Sequence, residues 1–406
     1  MTVVPMARQE PGALTDARLK QRVHHRLVTT DADDAARDGA ALRTRLVQLL
    51  RDEHPLMPAA HLHRLVEELV DEVSGLGPLE PLLADPSVTE VMVNGPAAAF
   101  VERAGRLEPV ALGLDAAGIL RVVERVVGPL GLRLDRSSPL VDARLPDGSR
   151  LHAVIPPLAI DGPCVTIRRF GARPIPIAEF GVGARAGVFL EWAVHAGWNL
   201  LVAGGTSAGK TTLLNALSGA IADGERVVTI EETAELRLRR AHVVRLEARP
   251  ANAEGTGAVT VRDLVRTALR MRPDRLVVGE VRGPEALDML QALNTGHDGS
   301  LSTIHANGAA DALARLETLV LLAGSGLPLD AVRSQVAASI DAVVFVARGA
   351  GGARRVEAVA EVGEAAGGAR VRPLFGWRDG ALVPFAPPTR SPRRHGAAAL
   401  RSEWFR

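Results

Sequence analysis

Apolar side chains fall on one helix face between positions 58 and 74, where Leu62, Leu65, Val66, Leu69, Val70 and Val73 stand three and four residues apart. Short apolar runs around 88–93 and 100–102 then predict strands, 116–127 predicts another helix, and 150–155 and 165–168 predict further strands. This is the pattern of a mixed α+β domain. It closes at Arg173-Pro174-Ile175-Pro176, whose two prolines predict a stiff linker. Beyond the linker, compact apolar runs at 199–203, 227–230, 276–278, 301–304 and 343–346 alternate with helical segments at 212–222, 261–271 and 285–293. Pro284 opens the last of these and Gly296 follows its end. Such alternation predicts an α/β fold, a mostly parallel sheet covered by helices on both faces.

The expected organisation is a loosely ordered or helical leader over 1–55 with an acidic run at 31–34, an N-terminal α+β domain over 56–173 and a linker over 174–184. The α/β domain follows over 185–348, and a glycine-rich, irregular extension over 349–406. Residues 387–406 carry five arginines against Glu403, which reads as a solvated tail, with electrostatic membrane contact as the alternative.

Composition narrows the class. A chain of 406 residues has room for two or three cores, and its net charge of +1 gives no global basic field of the kind nucleic-acid binders show. Aromatic residues make up 3% of the chain and tyrosine is absent, which argues against stacking on single strands. The single cysteine, Cys164, excludes an intrachain disulfide and a tetracysteine zinc site, and a reducing cytosol is the expected compartment. Arg8, Glu10, Asp16, Arg18 and Lys20 break up any apolar signal core. The charge-free stretch 192–209 has about the length of a membrane helix but is rich in glycine and contains His195 and Asn199, so it reads as a soluble strand.

Among 48 basic residues only Lys20 and Lys210 are lysines, and Lys210 lies in Gly204-Gly205-Thr206-Ser207-Ala208-Gly209-Lys210-Thr211-Thr212. Strand, glycine loop and helix follow in the order a phosphate-binding loop requires. Glycines at 204, 205 and 209 let backbone N–H groups turn inward around phosphate oxygens, and the helix adds its positive end. Lys210 offers a compact ammonium to the β- and γ-phosphates of ATP, and the Thr211 hydroxyl can join the shell of a nucleotide-bound Mg²⁺. An ATPase also needs a carboxylate at a strand end to organise the attacking water. Glu231 and Glu232 follow one predicted strand and Glu280 another, and carboxyl ends of neighbouring parallel strands converge on one crevice.

The stretches Arg272-Pro273-Asp274-Arg275-Leu276-Val277-Val278-Gly279-Glu280-Val281-Arg282-Gly283 and Asn294-Thr295-Gly296-His297-Asp298-Gly299-Ser300-Leu301-Ser302-Thr303-Ile304-His305 resemble the Walker B and His boxes of the secretion ATPase superfamily. Thr229-Ile230-Glu231-Glu232 resembles its Asp box. Val88-Thr89-Glu90-Val91-Met92-Val93-Asn94-Gly95-Pro96 and Ala143-Arg144-Leu145-Pro146-Asp147-Gly148-Ser149-Arg150 look like motifs of its CpaF/TadA branch, which powers assembly of Flp (tight-adherence) pili. The resemblance covers residues 56–348. It implies a PAS-like N-terminal domain joined to a RecA-like ATPase domain, six copies in a ring, and a cytoplasmic protein held at the inner face of the plasma membrane by integral platform proteins. It implies that Glu280 polarises the water with Glu231 assisting, and that His297 and His305 lie near the phosphates. The second acid of the family's Asp box is commonly Asp; here it is Glu232, which leaves the division of labour between the two acids open.

Both histidines have plainer readings, His305 as a polar strand end and His297 as a helix cap, and neither spacing fits zinc. Seven arginines fall between 133 and 173. Similar arginines in the family reach the nucleotide from the N-terminal domain, which selects Arg150 and Arg168 to neutralise charge on the γ-phosphoryl oxygens, with Arg144 and Arg169 as second choices. The reading is a hexameric ATPase driving pilus assembly or protein secretion. Conjugative or DNA-translocating transport is the alternative, and a nucleotide-dependent scaffold without turnover a third.

Overall fold

The computed structural model describes residues 16, 18–20, 22–23, 26–27, 39–73, 75–103, 105–169, 175–251, 255–324, 326–349, 352–365 and 368–405. The acidic run at 31–34 and the Arg173-Pro174 half of the expected linker lie outside them. The chain divides into two compact units, Met1–Gly171 and Ala172–Arg406.

In the first unit, α1 (Gly39–Glu53) and α2 (Ala59–Val73) pack through Leu42, Leu46, Leu49, Leu62, Leu65 and Leu69. Leu19, Val23 and Leu27 join the same core. The expected boundary at 56 therefore falls inside one apolar cluster, to which described residues on both sides of it contribute. A six-stranded antiparallel sheet follows, made of β1 (Val88–Asn94), β2 (Ala98–Arg103), β3 (Arg106–Val110), β4 (Leu140–Arg144), β5 (Arg150–Val154) and β6 (Cys164–Arg168), in the order β3-β2-β1-β6-β5-β4. Between β3 and β4 lies α3 (Ala116–Val127). Asp115 caps it by accepting from the Gly118 N–H at 2.6 Å, and Ile119, Val122, Val123 and Val126 pack on Val91, Val101, Leu151 and Ile167.

The second unit is built on a nine-stranded sheet. Its parallel part contains β7 (Leu200–Gly204), β8 (Val227–Glu231), β9 (Val243–Glu247), β10 (Arg275–Val281), β11 (Leu301–His305) and β12 (Ala342–Arg348), in the order β9-β8-β10-β11-β7-β12. Alternate residues of β7 explain the layers. Leu200 and Val202 pack with α4 (Gly183–His195) and α5 (Lys210–Ser218), while Leu201 and Ala203 pack with α6 (Glu285–Leu293), α7 (Ala309–Leu322) and α8 (Leu329–Ser339). A strand buried on both faces reads as a continuous apolar run, which is why 199–203 stands out in the sequence.

Two expectations fail in the last sixty residues. The segment after 348 is no irregular extension: β13 (Arg354–Ala365), β14 (Gly368–Arg378) and β15 (Ala381–Pro384) continue the sheet antiparallel from β12. Asp379 and Gly380, both at positive φ, form the two-residue turn between β14 and β15. Nor is the basic end a solvated tail. Arg390 Nη1 and Arg393 Nε each donate at 2.6 Å to the carboxylate of Asp341, which is 2% exposed and also accepts from the Asn199 N–H at 2.8 Å. Arg394 meets Glu225, which holds the fully buried Arg275 through two further bonds of 2.5 and 2.9 Å. Burial pushes the Glu225 carboxyl up, but the two guanidiniums overcome it and hold the group at about 2. Trp192 and Trp198 donate to the carbonyls of Ala398 and Ser391, and Phe405 packs 5.0 Å from Phe375. The arginines find buried acids here because their own segment lies across the amino ends of β7, β10 and β12.

Replacing Asp341 with Ala leaves Arg390, Arg393 and the Asn199 N–H without their shared acceptor, a loss of about 3 kcal/mol or more for a buried charge partner. Urea unfolding followed by tryptophan fluorescence should show a clearly lower midpoint for Asp341→Ala and none for Arg401→Ala, whose side chain is 70% exposed. Equal midpoints for Asp341→Ala and wild type would show that the strap formed by residues 390–405 contributes no stability.

Candidate nucleotide site

Parallel pairing places Gly204, His305, Glu280 and Glu231 at the carboxyl ends of β7, β11, β10 and β8, which are neighbours in that order. With about 4.8 Å between strands, Glu280 lies roughly 10 Å along this edge from the start of the glycine loop. Gly204 pairs with His305, and its carbonyl accepts from the Ala306 N–H at 3.3 Å. A Cβ on Gly204 would stand 2.4 Å from the Val346 carbonyl, so only glycine fits. Ser207 and Gly209 take positive φ values of 56° and 98°, the loop reverses, and α5 starts at Lys210. Gly205, Thr206 and Ser207 are not buried and Ala208 anchors the loop underneath. Lys210 Nζ donates to the Gly205 carbonyl at 3.0 Å, which keeps the ammonium over the loop, and Thr211 and Thr212 follow in the first helical turn. An open turn of backbone amides at a helix N-terminus, with an ammonium beside it, fits a polyphosphate.

The three acids occupy different environments. Glu231 is 3% exposed; its Oε1 accepts from the Glu235 and Leu236 N–H groups at 2.8 and 2.9 Å, while its buried Oε2 has no hydrogen-bond partner among the described residues. It lies against β10, where a Cβ on Gly279 would come 2.7 Å from its Cγ. Burial pushes its carboxyl up to about 7 against the pull of the two N–H donors. Glu232 is exposed and Glu280 half-buried, and Arg282 bridges them: Nη1 donates to Glu232 Oε2 at 2.8 Å and Nη2 to Glu280 Oε2 at 2.6 Å. Arg282 was visible in the sequence as one more arginine of an arginine-rich chain, and nothing local marked it as shared between two strand ends.

His305 lies at the loop, whereas His297 does not. His297 precedes β11, in the turn whose Gly299 and Ser300 N–H groups donate to Asn199 Oδ1 at the amino end of β7. Its Nδ1 meets the Ala292 carbonyl at 2.9 Å, the cap-like role weighed for it. The five residues of β11 separate it from the loop edge by roughly 15 Å. In the first unit, register pairs Arg144 with Arg150, Arg150 with Arg168 and Arg168 with Glu90, a cross-strand row on one face. Arg169 is spent on structure, donating to the carbonyls of Asp85 and Val88.

A carboxyl whose folded value is raised favours folding relative to its ionised form at low pH. Its penalty is absent below the unfolded value near 4.5 and grows as pH rises toward about 7. Glu231→Gln keeps the acceptor for both N–H groups and cannot ionise. Thermal unfolding should therefore show the variant gaining on wild type between pH 5 and pH 8, by up to about 3 kcal/mol. A difference that does not change with pH would show that Glu231 ionises in the fold as freely as in water.

The family model for "Type II/IV secretion system protein" matches residues 72–360. A Mycobacterium tuberculosis protein named as a candidate for conjugal transfer is 42% identical over 302 residues, covering 72% of this chain and 85% of its own. The type IV secretion system protein PtlH of Bordetella pertussis is 41% identical over 316 residues, covering 68% of this chain and 91% of its own. The crystal structure of the Legionella pneumophila ATPase DotB, at 20% identity, covers 68% of this chain and 78% of its own with a TM-score of 0.52, which shows the shared fold. Among the described residues no helix is long and apolar enough to cross a membrane. A family-model match across most of both units, together with relatives above 40% identity, makes this chain a member of the type II/IV secretion system protein family.

Proposed function

We propose that this chain is an ATP-hydrolysing motor whose carboxyl-edge residues bind Mg²⁺–ATP and cleave the γ-phosphate. The observation that carries the reading is the convergence of Gly204, His305, Glu280 and Glu231 on one edge of a parallel sheet. Bound ATP supplies the phosphoryl group. Backbone amides of 204–209 and the start of α5 receive its phosphates, Lys210 meets the β- and γ-oxygens, and Thr211 offers its hydroxyl to Mg²⁺. Glu280 polarises the attacking water, His305 contacts the phosphate side of the site, and Glu231 fixes the backbone after β8. Arg150 and Arg168 address the γ-phosphate.

Six copies in a ring, cytoplasmic and docked on integral platform proteins, would turn each cleavage into domain motion that assembles an Flp-type pilus or secretes protein. The motifs at 88–96 and 143–150 favour pilus assembly. The relative named for conjugal transfer favours the second reading, a conjugative motor, which would require a salt-sensitive affinity for DNA.

Steady-state hydrolysis and binding of a fluorescent ATP analogue divide the roles. Lys210→Ala should lose turnover and bind nucleotide weakly, whereas Glu280→Gln should bind normally and turn over at least 10²-fold more slowly. Normal turnover in a folded Lys210→Ala protein would sink the site. Alanine at Arg150 or Arg168 should lower kcat by roughly 10²-fold while ADP affinity stays near wild type, because ADP lacks the group they address. Equal losses for ADP and ATP would remove the arginines from the γ-phosphate.

A further inference from the structure

The Arg282 guanidinium spans two strand ends. One nitrogen holds Glu280 Oε2 at 2.6 Å and the other holds Glu232 Oε2 at 2.8 Å. Its own backbone is fixed as well, since Glu285 Oε1 accepts from the Arg282 N–H at 2.7 Å and from the Gly283 N–H at 2.8 Å. The side chain thus leaves a clamped turn and reaches a carboxylate on its own strand and one beyond β8. Glu280 lies where the β10–β11 pairing slips between Val278 and Val281, so no regular ladder fixes its backbone. Ion pairs as exposed as these contribute about 0–1 kcal/mol to folding, too little to explain a guanidinium gripped at both ends.

We infer that Arg282 is a positioning residue for Glu280, and that Glu232 acts only through Arg282, as the anchor that aims it. This rests on the reading of Glu280 as the water-polarising group. Arg282 engages Oε2, so Oε1 is the oxygen that faces the water. The two acids of the 231–232 pair divide accordingly: Glu231 secures the backbone after β8 by accepting from Glu235 and Leu236, and Glu232 secures the guanidinium. A carboxylate misplaced by about 1 Å can cost about 10²-fold in rate, which sets the scale of the effect.

The test is a mutant cycle in the full chain, with kcat, KM and fluorescent-ATP affinity measured for Arg282→Gln, Arg282→Lys, Glu232→Gln, the Arg282→Gln/Glu232→Gln double variant and Glu280→Gln. Arg282→Gln should lower kcat by about 10- to 100-fold with KM and affinity within about threefold. Arg282→Lys, a cation that cannot span both acids, should recover part of the loss. Glu232→Gln should lower kcat less, and the double variant should match Arg282→Gln alone, because Glu232 has no other route to the site. A kcat within twofold of wild type for Arg282→Gln, a loss carried by nucleotide affinity, or multiplying losses in the double variant would each overturn the inference. Glu280→Gln separates the two failures: full turnover in that variant would bring down the Glu280 reading itself. Should Arg282→Gln not fold, Glu232→Gln at its exposed position decides, and a kcat equal to wild type there refutes the anchor.

Discussion

The parallel register of five neighbouring strands is the constraint on which the site depends. Strands that run the same way end on the same side, so Glu280 and His305, 76 and 101 positions after Gly204, come to the edge where Gly204 releases the loop. The edge is tight as well as shared. The Val346 carbonyl leaves no room for a Cβ at Gly204, and Glu231 leaves none at Gly279. The start of the loop is therefore set by a backbone contact, while the acids are set by side-chain contacts around β10.

The opposite edge of the same sheet is just as heavily built. Asn199 precedes the central strand and holds four residues: its N–H donates to Asp341, its Nδ2 to the Ser339 carbonyl, and its Oδ1 accepts from Gly299 and Ser300. Arg390, Arg393 and Arg394 close this edge from outside by neutralising Asp341 and Glu225. The amino end of the central strand is thus satisfied by contacts within the second unit.

The central strands, the glycine loop and the acids after β8 and β10 were legible because burial on both faces and strand-end placement leave local marks in the sequence. What was missed lacked them. β3 and β4 are the two edges of their sheet; β3 carries Pro109 and buries no side chain, so neither shows an apolar run. β13 is interrupted by glutamates and β14 is rich in arginine and glycine, although the Asp379-Gly380 turn was a readable hairpin signal. The partners of Arg393 and Arg394 lie far off along the chain, Asp341 at 52 residues and Asp298 at 96, and no window of sequence contains both members. His297 was drawn toward the site by the resemblance to the His box, yet a strand separates it from His305 more widely than any other conformation of the intervening chain.

The strap also sets an order of events during synthesis. Trp192 donates to a carbonyl 206 residues later, and Phe189 is covered in part by Phe405. At about 5–20 residues per second, translation delivers those covering groups roughly 10–40 s after the aromatic cluster has left the ribosome. For that interval the largest rings of the second unit stand open. A chain built this way keeps Trp192 and Phe189 without these partners until residues 398–405 have been made.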